Sequence, residues 1–347
     1  MAKRVITQKD IATALGVSRG TIDRALHDRP GINSEIKHKV LQYTKERGYS
    51  PNKLAQFLVT GKQLTFAMIT PGDPLWAKVR EGADSFLSEL GSTLVNVKWF
   101  QTEVHDPERE VTLFRSALVE GVDGIGIVPS DPALLTPLID ESVDQGIPVV
   151  TVNTDAPSSK RLLFIGQNPE LAGEVGADLL GNFLNGSGKV AVVTAFRNVL
   201  VHKIRCEAFC GFIARHFPQI EIVAILESRD SAAITKQVMS RVLADHNDLS
   251  GVYLTTGTGI AGVGEALVEA GAGGRVRVVC YDFFRETANL LKEGIVTATI
   301  GEDPYGQGYQ SVKALYDRVV DGVEPGNRMH FTRMDIGVRA NIDLLVN

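Results

Sequence analysis

Residues 7–26 read TQKDIATALGVSRGTIDRAL and hold two short amphipathic segments separated by a glycine. Thr7 can cap a first helix, and Gly16 then ends that helix because glycine accepts the positive φ angle of a tight turn. Ser18 can cap a second helix that has its own apolar face. Two short helices joined in this way predict a helix-turn-helix, and an ordinary helical hairpin is the alternative interpretation.

A third helix is predicted to follow the first two. Asn33 can cap it, its residues run from Ser34 to Arg47, and Gly48 stops it. Apolar residues spaced along this segment can close a three-helix core with the first two helices. The sequence therefore predicts an all-α head over residues 1–50.

The charge of the chain is distributed unevenly between this head and the rest. Residues 1–62 contain 12 Lys and Arg but only 5 Asp and Glu, a net charge of +7, whereas the remaining residues carry a net charge of −12. A small basic head on a large acidic body is typical of a head that binds a polyanion such as DNA.

Composition excludes several other classes of protein. The chain has 347 residues, 44% of them hydrophobic and 22% charged, which is enough for two or three modules with full cores. No apolar run approaches the ~20 residues that a membrane span requires. The first residues lack the apolar core of a secretory signal, and three cysteines make no disulfide framework. We therefore expect a cytoplasmic protein that does not enter a membrane.

Residues 50–62, SPNKLAQFLVTGK, predict a short helix between head and body. Pro51 suits a first helical position, and Gly61 ends the segment. About two turns of helix are marginal in water, because nucleation is costly. Residues 51–62 are therefore predicted to be a hinge that folds only when something packs on it.

The head and hinge together resemble the lactose-repressor (LacI-type) family of bacterial transcription factors. The resemblance spans residues 5–62 and rests on TQKDIATALGVSRGTIDRAL and RGYSPNKLAQFLVTGK. It implies a homodimer that binds double-stranded operator DNA, with the second helices in successive major grooves. The implied DNA contacts are Arg19, Gly20 and Arg24 to bases, Thr7, Ser18, Thr21 and Asn33 to phosphates, and Asn52, Lys53, Ala55 and Leu58 in the minor groove.

Individual residues of this resemblance differ in what they imply. Arg suits bidentate pairing with guanine, whereas Gly20 has no side chain with which to contact a base. Leu58 matches the leucine that wedges into a base step in the family, and ordinary linker packing is its alternative role. Gly20 and Asp23 depart from the residues that are common in the family, so they leave the operator sequence open.

From Leu64 onward, apolar runs alternate with helical stretches. Near-continuous Val, Ile and Leu runs between helices indicate parallel sheets that are buried on both faces. Nine strands are many for one sheet, so two successive α/β lobes are expected, split near residues 163–166. The predicted strands are Leu64–Thr70, Thr93–Trp99, Gly124–Val128, Pro148–Val152, Lys189–Thr194, Glu221–Leu226, Gly251–Thr255, Val276–Tyr281 and Val296–Ile300.

The body resembles type I periplasmic sugar-binding proteins of the ribose-binding kind over roughly residues 63–330. The resemblance implies an α/β body over residues 63–347, in which the late chain crosses back to the first lobe and a cleft closes on a small sugar or polyol effector. The matching stretches, in order, are ITPGDPLWAKVREGA, DGIGIVPSD, IPVVTVNTDAPSS, FIGQNPELAGEVGA, VVCYDF and ATIGEDPYGQG.

Polar residues follow several of the predicted strands, at the edge where ligands of open α/β sheets bind. Carboxylates and Arg suit hydroxyl-rich ligands, and an aromatic ring can cover the C–H face of a sugar. Core packing is equally plausible for Trp76, as are helix capping for Asp73 and a turn role for Asp155. The resemblance implies sugar contacts at Asp73, Asn153, Asp282, Glu302 and Arg205, which is expected to start a helix. With Trp76 and Asp155, the candidate effector residues are Asp73, Trp76, Asn153, Asp155, Arg205, Asp282 and Glu302.

Two further patterns suggest other chemistry. Gly257, Gly259 and Gly262 form a GxGxxG pattern that a dinucleotide-binding fold would use, although it lies in the middle of the second lobe. The helical spacing of His202, Cys206 and Cys210 is compatible with a metal site, and a partly buried helix face is the simpler interpretation. The chain shows no Walker loop, GxSxG elbow or HExxH pair.

We therefore expect a transcription repressor whose DNA binding is controlled by an effector between the lobes. We expect neither catalysis nor a cofactor or metal. A solute-binding protein of a sugar transporter and an NAD-dependent oxidoreductase are the alternatives. The sequence leaves open whether the effector releases the protein from DNA or promotes its binding to DNA.

Overall fold

The computed structural model describes residues 8–26, 29–46, 63–72, 74–91, 94–103 and 105–346. The predicted roles of Thr7, Asp73 and the hinge residues Asn52, Lys53, Ala55 and Leu58 fall outside these residues. The chain divides into two compact units, one comprising Met1–Lys62 with Asp317–Val323 and the other comprising the remainder. The predicted domain boundaries at residues 50 and 62 stay predictions.

The head contains the three expected helices, α1 (Gln8–Leu15), α2 (Arg19–Leu26) and α3 (Ser34–Glu46). Gly16 has a φ angle of +63° in the turn before α2, which explains the glycine at this position. The apolar faces meet in one small core, which Ala14 and Leu41 do not join because both are exposed. The buried core residues are Ile11, Ala12, Ile22, Ala25 and Val40.

The caps of α2 and α3 follow from the polar residues that precede them. The Thr21 backbone N–H donates to the Ser18 Oγ over 3.1 Å, and the Glu35 N–H donates to the Asn33 Oδ1 over 2.8 Å. Each side chain thereby satisfies an N–H that has no partner within the helix.

The body has two six-stranded sheets, as the fold class predicted. The first sheet runs β2-β1-β3-β4-β5-β11 and is parallel throughout. Its strands are β1 (Leu64–Pro71), β2 (Val95–Thr102), β3 (Gly124–Ile127), β4 (Val149–Val152), β5 (Leu163–Gly166) and β11 (Met329–Phe331).

The second sheet runs β7-β6-β8-β9-β10-β12, and only its last pair is antiparallel. Its strands are β6 (Ser187–Thr194), β7 (Gln219–Glu227), β8 (Leu249–Leu254), β9 (Arg277–Tyr281), β10 (Ala298–Gly301) and β12 (Asp335–Gly337). Nine of the twelve strands in the described part of the chain were expected from the sequence. Residues 163–166, expected as the division between the lobes, form β5, the strand of the first sheet after which the chain enters the second sheet.

Helices connect the strands and cover the sheets. Among the described helices, none is long and apolar enough to cross a bilayer. The helices of the body are α4 (Pro74–Leu90), α5 (Pro107–Val119), α6 (Pro132–Asp144), α7 (Pro169–Phe183), α8 (Leu200–His216), α9 (Ala232–Asp245), α10 (Ile260–Glu269), α11 (Arg285–Glu293), α12 (Pro304–Tyr316) and α13 (Ile342–Leu345).

The chain crosses between the lobes three times, which places the strand ends of both sheets around one cleft. After β5 it enters the second sheet, with α12 it returns to pack on α4 of the first lobe, and after β11 it ends in the second sheet. The helices α12 and α4 can approach closely because Gly308 has no side chain. A Cβ at this position would overlap the Val79 backbone. This close approach anchors α12 to the first lobe.

Candidate functional site

A cavity of about 90 Å³ lies between the two lobes. A water molecule needs only about 10–15 Å³ of such volume, so the cavity has room for several water-sized groups. Both sheets contribute side chains that follow their strand ends. The lining residues are Pro71, Leu75, Trp76, His105, Val128, Ser130, Asn153, Thr154, Phe196, Val199, Val201, His202, Arg205, Asp230, Thr256, Thr258, Asp282, Phe284 and Glu302.

Asn153 and Asp282 occupy equivalent positions in the two lobes. Asn153 follows β4 and Asp282 follows β9, and both have a φ angle of +65°. Each backbone N–H donates to the neighbouring strand over 2.9 Å, from Asn153 to the Ile165 carbonyl and from Asp282 to the Ile300 carbonyl. Asn and Asp tolerate the left-handed conformation better than other non-glycine residues, so the sequence at these two positions suits the backbone.

His105 and Asp230 form a second such pair at the outer strands. They follow β2 and β7, and their φ angles are +58° and +53°. Four left-handed residues thus line one cavity, two from each lobe. Such backbone conformations are costly and cluster at ligand sites, where the surrounding structure holds them in place.

Arg205 links the two lobes through Glu302. An Nη2 of Arg205 lies 2.8 Å from Oε1 of Glu302, and Nδ2 of Asn153 donates to Oε2 of the same carboxylate over 2.7 Å. Arg205 and Glu302 are only 2% and 4% exposed, so this ion pair is strongly shielded from solvent. The structure therefore brings together three of the candidate residues in one network across the cleft.

The remaining contacts of Arg205 hold its guanidinium rigidly. It donates to the Gln167 Oε1 and to the Thr255 carbonyl, both over 2.9 Å, and it lies 3.9 Å from the centre of the Tyr281 ring. Burial alone would lower the pKa of Arg205, but Glu302 raises it above its ordinary value. The Nε atom is buried without a hydrogen-bond partner, so one donor remains for a ligand.

The aromatic lining has one member that the sequence identified and two that it did not. Trp76 is 6% exposed and lines the cavity while packing in the first lobe, so both of its expected roles are compatible with the structure. Phe196 follows β6 and Phe284 follows β9, and both line the cavity as well. Applying the strand-end argument to every strand would have identified them.

Asp155 is not among the residues that line the cavity. It is buried in an ion pair with Arg161, whose Nη2 donates to Oδ2 of Asp155 over 2.6 Å. Thr151 and the Ala156 N–H also donate to this carboxylate, over 2.7 and 2.8 Å. Its contacts hold the turn after β4, which was the alternative role that the sequence offered.

Glu110 supports the cavity from behind through Ser130. It is 1% exposed, and both the N–H and the hydroxyl of Ser130 donate to its carboxylate. Burial, partly offset by the Ser130 N–H, raises the pKa of Glu110 from 4.5 to about 8. Between these two values the folded protein binds a proton that the unfolded chain has released, so the free energy of unfolding falls as pH rises.

Glu110→Gln is expected to remove this loss of stability. One unit of pKa corresponds to about 1.4 kcal/mol, so the wild-type protein should lose a few kcal/mol relative to the variant between pH 5 and pH 8. Urea unfolding at both pH values measures the difference. Glu108→Gln, on an exposed position of the same helix α5, is the matched control and should retain the loss. A variant at Glu110 that loses stability as steeply as the wild type would contradict this account.

The two alternative patterns have packing explanations. The described residues contain no group of three His, Cys, Asp or Glu that could hold a metal ion. Cys206 and Cys210 pack against the core of the second lobe, whereas His202 lines the cavity. Gly262 lets α10 approach α9, because a Cβ there would overlap the Ala232 carbonyl.

In the head, the residues expected to contact bases lie on α2, Arg19 and Gly20 at its start and Arg24 in its last turn. Arg19, Gly20 and Arg24 are all exposed, and none is part of the three-helix core. Ser18 and Thr21, expected at phosphates, lie together with their hydroxyl oxygens 2.9 Å apart. A hydrogen bond therefore joins the two hydroxyl groups, and the Ser18 oxygen also accepts from the Thr21 N–H.

Gly20→Ala is expected to stabilise the head by about 0.4–1 kcal/mol, because alanine restricts the unfolded chain and favours the helix. A Cβ at Gly20 would come no closer than 3.8 Å to Ser18 Oγ. Hydrogen exchange of the α2 amides in the full-length protein measures the change. Gly16→Ala, at a φ angle of +63°, is the control and should destabilise the same helix. Faster exchange in Gly20→Ala would disprove the assignment of an unstrained helical position.

Two protein families match this chain. Residues 64–322 match the periplasmic binding protein domain, and residues 7–52 match the bacterial regulatory proteins of the lacI family. The chain therefore belongs to the lacI family of bacterial regulatory proteins, with a periplasmic binding protein domain as its body.

Individual relatives agree with this division of the chain. The HTH-type transcriptional regulator AglR of Rhizobium meliloti is 33% identical over 130 residues, 35% of this chain and 35% of the relative. The xylose/arabinose-binding protein XylF of Sulfolobus acidocaldarius is 26% identical over 238 residues, 64% of this chain and 58% of the relative. The chain thus spans about a third and somewhat over half of the length of these two relatives.

A solved structure matches the body closely. The sugar-binding protein of a sugar ABC transporter from Bacillus halodurans has a TM-score of 0.75 and 29% sequence identity, and the match covers 81% of this chain and 99% of that chain. The fold class expected from the sequence, a helix-turn-helix head on a type I periplasmic-binding-protein body, is confirmed.

Proposed function

We propose that this protein is a sequence-specific DNA-binding transcription repressor that is controlled by a sugar or polyol bound between the two lobes of its body. The observation that carries the proposal is the Arg205–Glu302–Asn153 network, which joins both lobes at a polar cavity. A ligand that replaces or extends these contacts changes the relative stability of the open and closed lobes.

The cavity suits a hydroxyl-rich ligand. Asp282 and Glu302 offer carboxylate oxygens, Arg205 keeps an unpartnered Nε, and Trp76 offers an aromatic face. Carboxylates accept two neighbouring hydroxyl groups, and aromatic rings pack against the C–H face of a sugar. The names of the relatives, one a xylose/arabinose-binding protein and another a sugar-binding protein, agree with this ligand class.

The head provides the output. Arg19 and Arg24 contact base edges, and Ser18, Thr21 and Asn33 contact phosphates and set the register on DNA. Two copies form a homodimer and bind two half-sites of an operator in the cytoplasm. The hinge transmits lobe closure to the heads, so effector affinity and DNA affinity are coupled reciprocally. The protein carries out no catalysis.

Thermal unfolding in the presence of neutral sugars tests the effector site. D-arabinose, D-xylose, D-ribose, D-galactose and myo-inositol are the probes, and at least one should raise the melting temperature with increasing concentration by mass action. Asp282→Asn is the matched variant. Asparagine tolerates the left-handed backbone of this position, since Asn153 has the same φ angle of +65°. It should fold normally and show a smaller shift. A flat response of the wild type to all five probes would overturn the effector proposal.

A transporter's solute-binding protein is the second candidate for the body. The basic head with its helix-turn-helix favours the regulator, because a solute-binding role gives residues 8–46 no purpose. Selective binding of the full-length protein to one duplex in a random pool distinguishes the two.

A further inference from the structure

Two histidines occupy the cavity without a role in the network described above. His105 follows β2 of the first lobe, and His202 lies in the first turn of α8 of the second lobe. The His105 ring stacks on Phe196, with 4.1 Å between ring centres and 29° between planes. Since Phe196 follows β6, this stack brings the two lobes into contact at the cavity wall.

The Nδ1 atom of each histidine is buried and lacks a hydrogen-bond partner. The side chain of Asn198 faces His105 and the backbone of Phe196 faces His202, and each raises the pKa of the histidine it faces. A neutral imidazole that donates through Nε2 leaves Nδ1 as an acceptor. Buried acceptors without a donor are rare and unfavourable, so two of them in one cavity indicate that a ligand supplies the donors.

Both imidazoles are neutral near pH 7. Burial lowers the pKa of His202 to about 3, with the charge of Arg205 acting in the same direction. Burial also lowers the pKa of His105, against the opposing charge of Asp131. Neither ring therefore attracts an anion by its charge.

The charged groups at the cavity also disfavour anions. Of the described residues that line it, Arg205 is the one permanent cation, and it is already paired with Glu302. Asp230 and Asp282 add two further carboxylates. A phosphate or carboxylate on a ligand would therefore meet net negative charge and two acceptor nitrogens.

We propose that His105 and His202 form a specificity pair that accepts hydrogen bonds from two hydroxyl groups of an uncharged effector and excludes phosphorylated and carboxylated sugars. This inference rests on the proposed effector site and specifies its ligand class. A hydroxyl group donates to each Nδ1, so both buried acceptors are satisfied when the cleft closes. A phosphate oxygen has no proton to donate in its ionised form and is rejected.

Calorimetric titration of the full-length protein tests the pair. The neutral probes are D-galactose, D-arabinose, D-xylose and myo-inositol, and the anionic probes are D-galactose 6-phosphate and D-galacturonate. At least one neutral probe should bind, and both anionic probes should bind at least roughly tenfold more weakly than D-galactose, or not at all. His202→Phe, which keeps a ring but no acceptor, should weaken the neutral probe about tenfold, as expected for loss of one buried hydrogen bond.

Two further variants separate recognition from folding. His202→Asn retains an acceptor close to the position of Nδ1 and should recover part of the lost affinity. His216→Phe alters a histidine at the other end of α8 and should bind as the wild type does. Nitrogen-15 NMR of the histidine rings gives a second readout. Both Nδ1 atoms should be unprotonated, and their resonances should shift when the neutral probe is added.

The outcomes separate this inference from the proposed function. If a neutral probe binds the wild type and His202→Phe with equal affinity, the specificity pair is wrong while the effector site stands. Equal binding of D-galactose and D-galactose 6-phosphate would also overturn the pair alone. If none of the probes binds the wild type, the effector site and the pair are both overturned.

Discussion

Replacing Arg205 with Leu is expected to lower the free energy of unfolding of the body by about 3–5 kcal/mol and to abolish its response to sugars. The substitution leaves Glu302, which is 4% exposed, as a buried carboxylate without its cation. It also removes the hydrogen bonds to Gln167 and to the Thr255 carbonyl. An uncompensated buried charge is among the largest single effects that a point substitution can have.

A double variant separates the structural cost from the loss of binding. Arg205→Leu with Glu302→Leu removes both charges and should regain much of the stability, because apolar pairs often replace buried ion pairs at little cost. It should not regain sugar binding. Arg215→Leu on the same helix is the control, and this exposed pair with Glu174 should contribute less than about 1 kcal/mol. Urea unfolding gives the stabilities, and a single variant as stable as the wild type would contradict the account.

Replacing Asp155 with Ala is expected to destabilise the first lobe by about 3–5 kcal/mol while leaving sugar affinity unchanged in the folded protein. Arg161 is 4% exposed and would lose its bidentate carboxylate partner. The N–H of Ala156 and the hydroxyl of Thr151 would lose their acceptor as well. Because Asp155 does not line the cavity, the cost is one of folding.

Urea unfolding and calorimetric titration with the stabilising sugar measure the two effects separately. Asp144→Ala is the matched control, because this aspartate forms an exposed ion pair with Lys160 in the same lobe. It should change the free energy of unfolding by less than about 1 kcal/mol. If the Asp155→Ala variant kept its stability but lost sugar binding, this prediction would be wrong and Asp155 would belong to the effector site.

The sequence predicted most of the fold because its signals are local. Buried parallel strands such as β3 and β4 appear as short apolar runs, and a capping residue precedes several of the helices. The strand β5 was missed because the division between the lobes was expected at residues 163–166, and β11 and β12 were missed because they have only three residues each. The strand β11 is defined by its pairing with β5, about 160 residues earlier in the chain, which no local pattern reveals.

The candidate site was predicted in part for a similar reason. Parallel strand ends meet at one edge, so Asn153, Asp282 and Glu302 could be identified from position alone. Asp155 has the same kind of position, and only its partner Arg161 shows that it belongs to the core. His105 was overlooked because β2 extends three residues beyond the predicted end at Trp99.

Coupling between the cleft and the head is the central claim. The cavity network joins the lobes and the last strands return across the cleft, so closure on an effector is expected to shift one lobe against the other. A ligand acts on DNA affinity only as far as it binds the two arrangements differently. The coupling is therefore a ratio of dissociation constants that can be measured in both directions.

The most direct measurement is the affinity of the full-length protein for a duplex selected from a random pool, followed by fluorescence anisotropy with and without the sugar that stabilises it most. We expect selective, salt-dependent binding, with a dissociation constant for the duplex that changes at least about fivefold at saturating sugar. The dissociation constant of the sugar should change by the same factor when the duplex is present. Unselective binding, or identical duplex affinity with and without a sugar that occupies the cleft, would contradict this expectation.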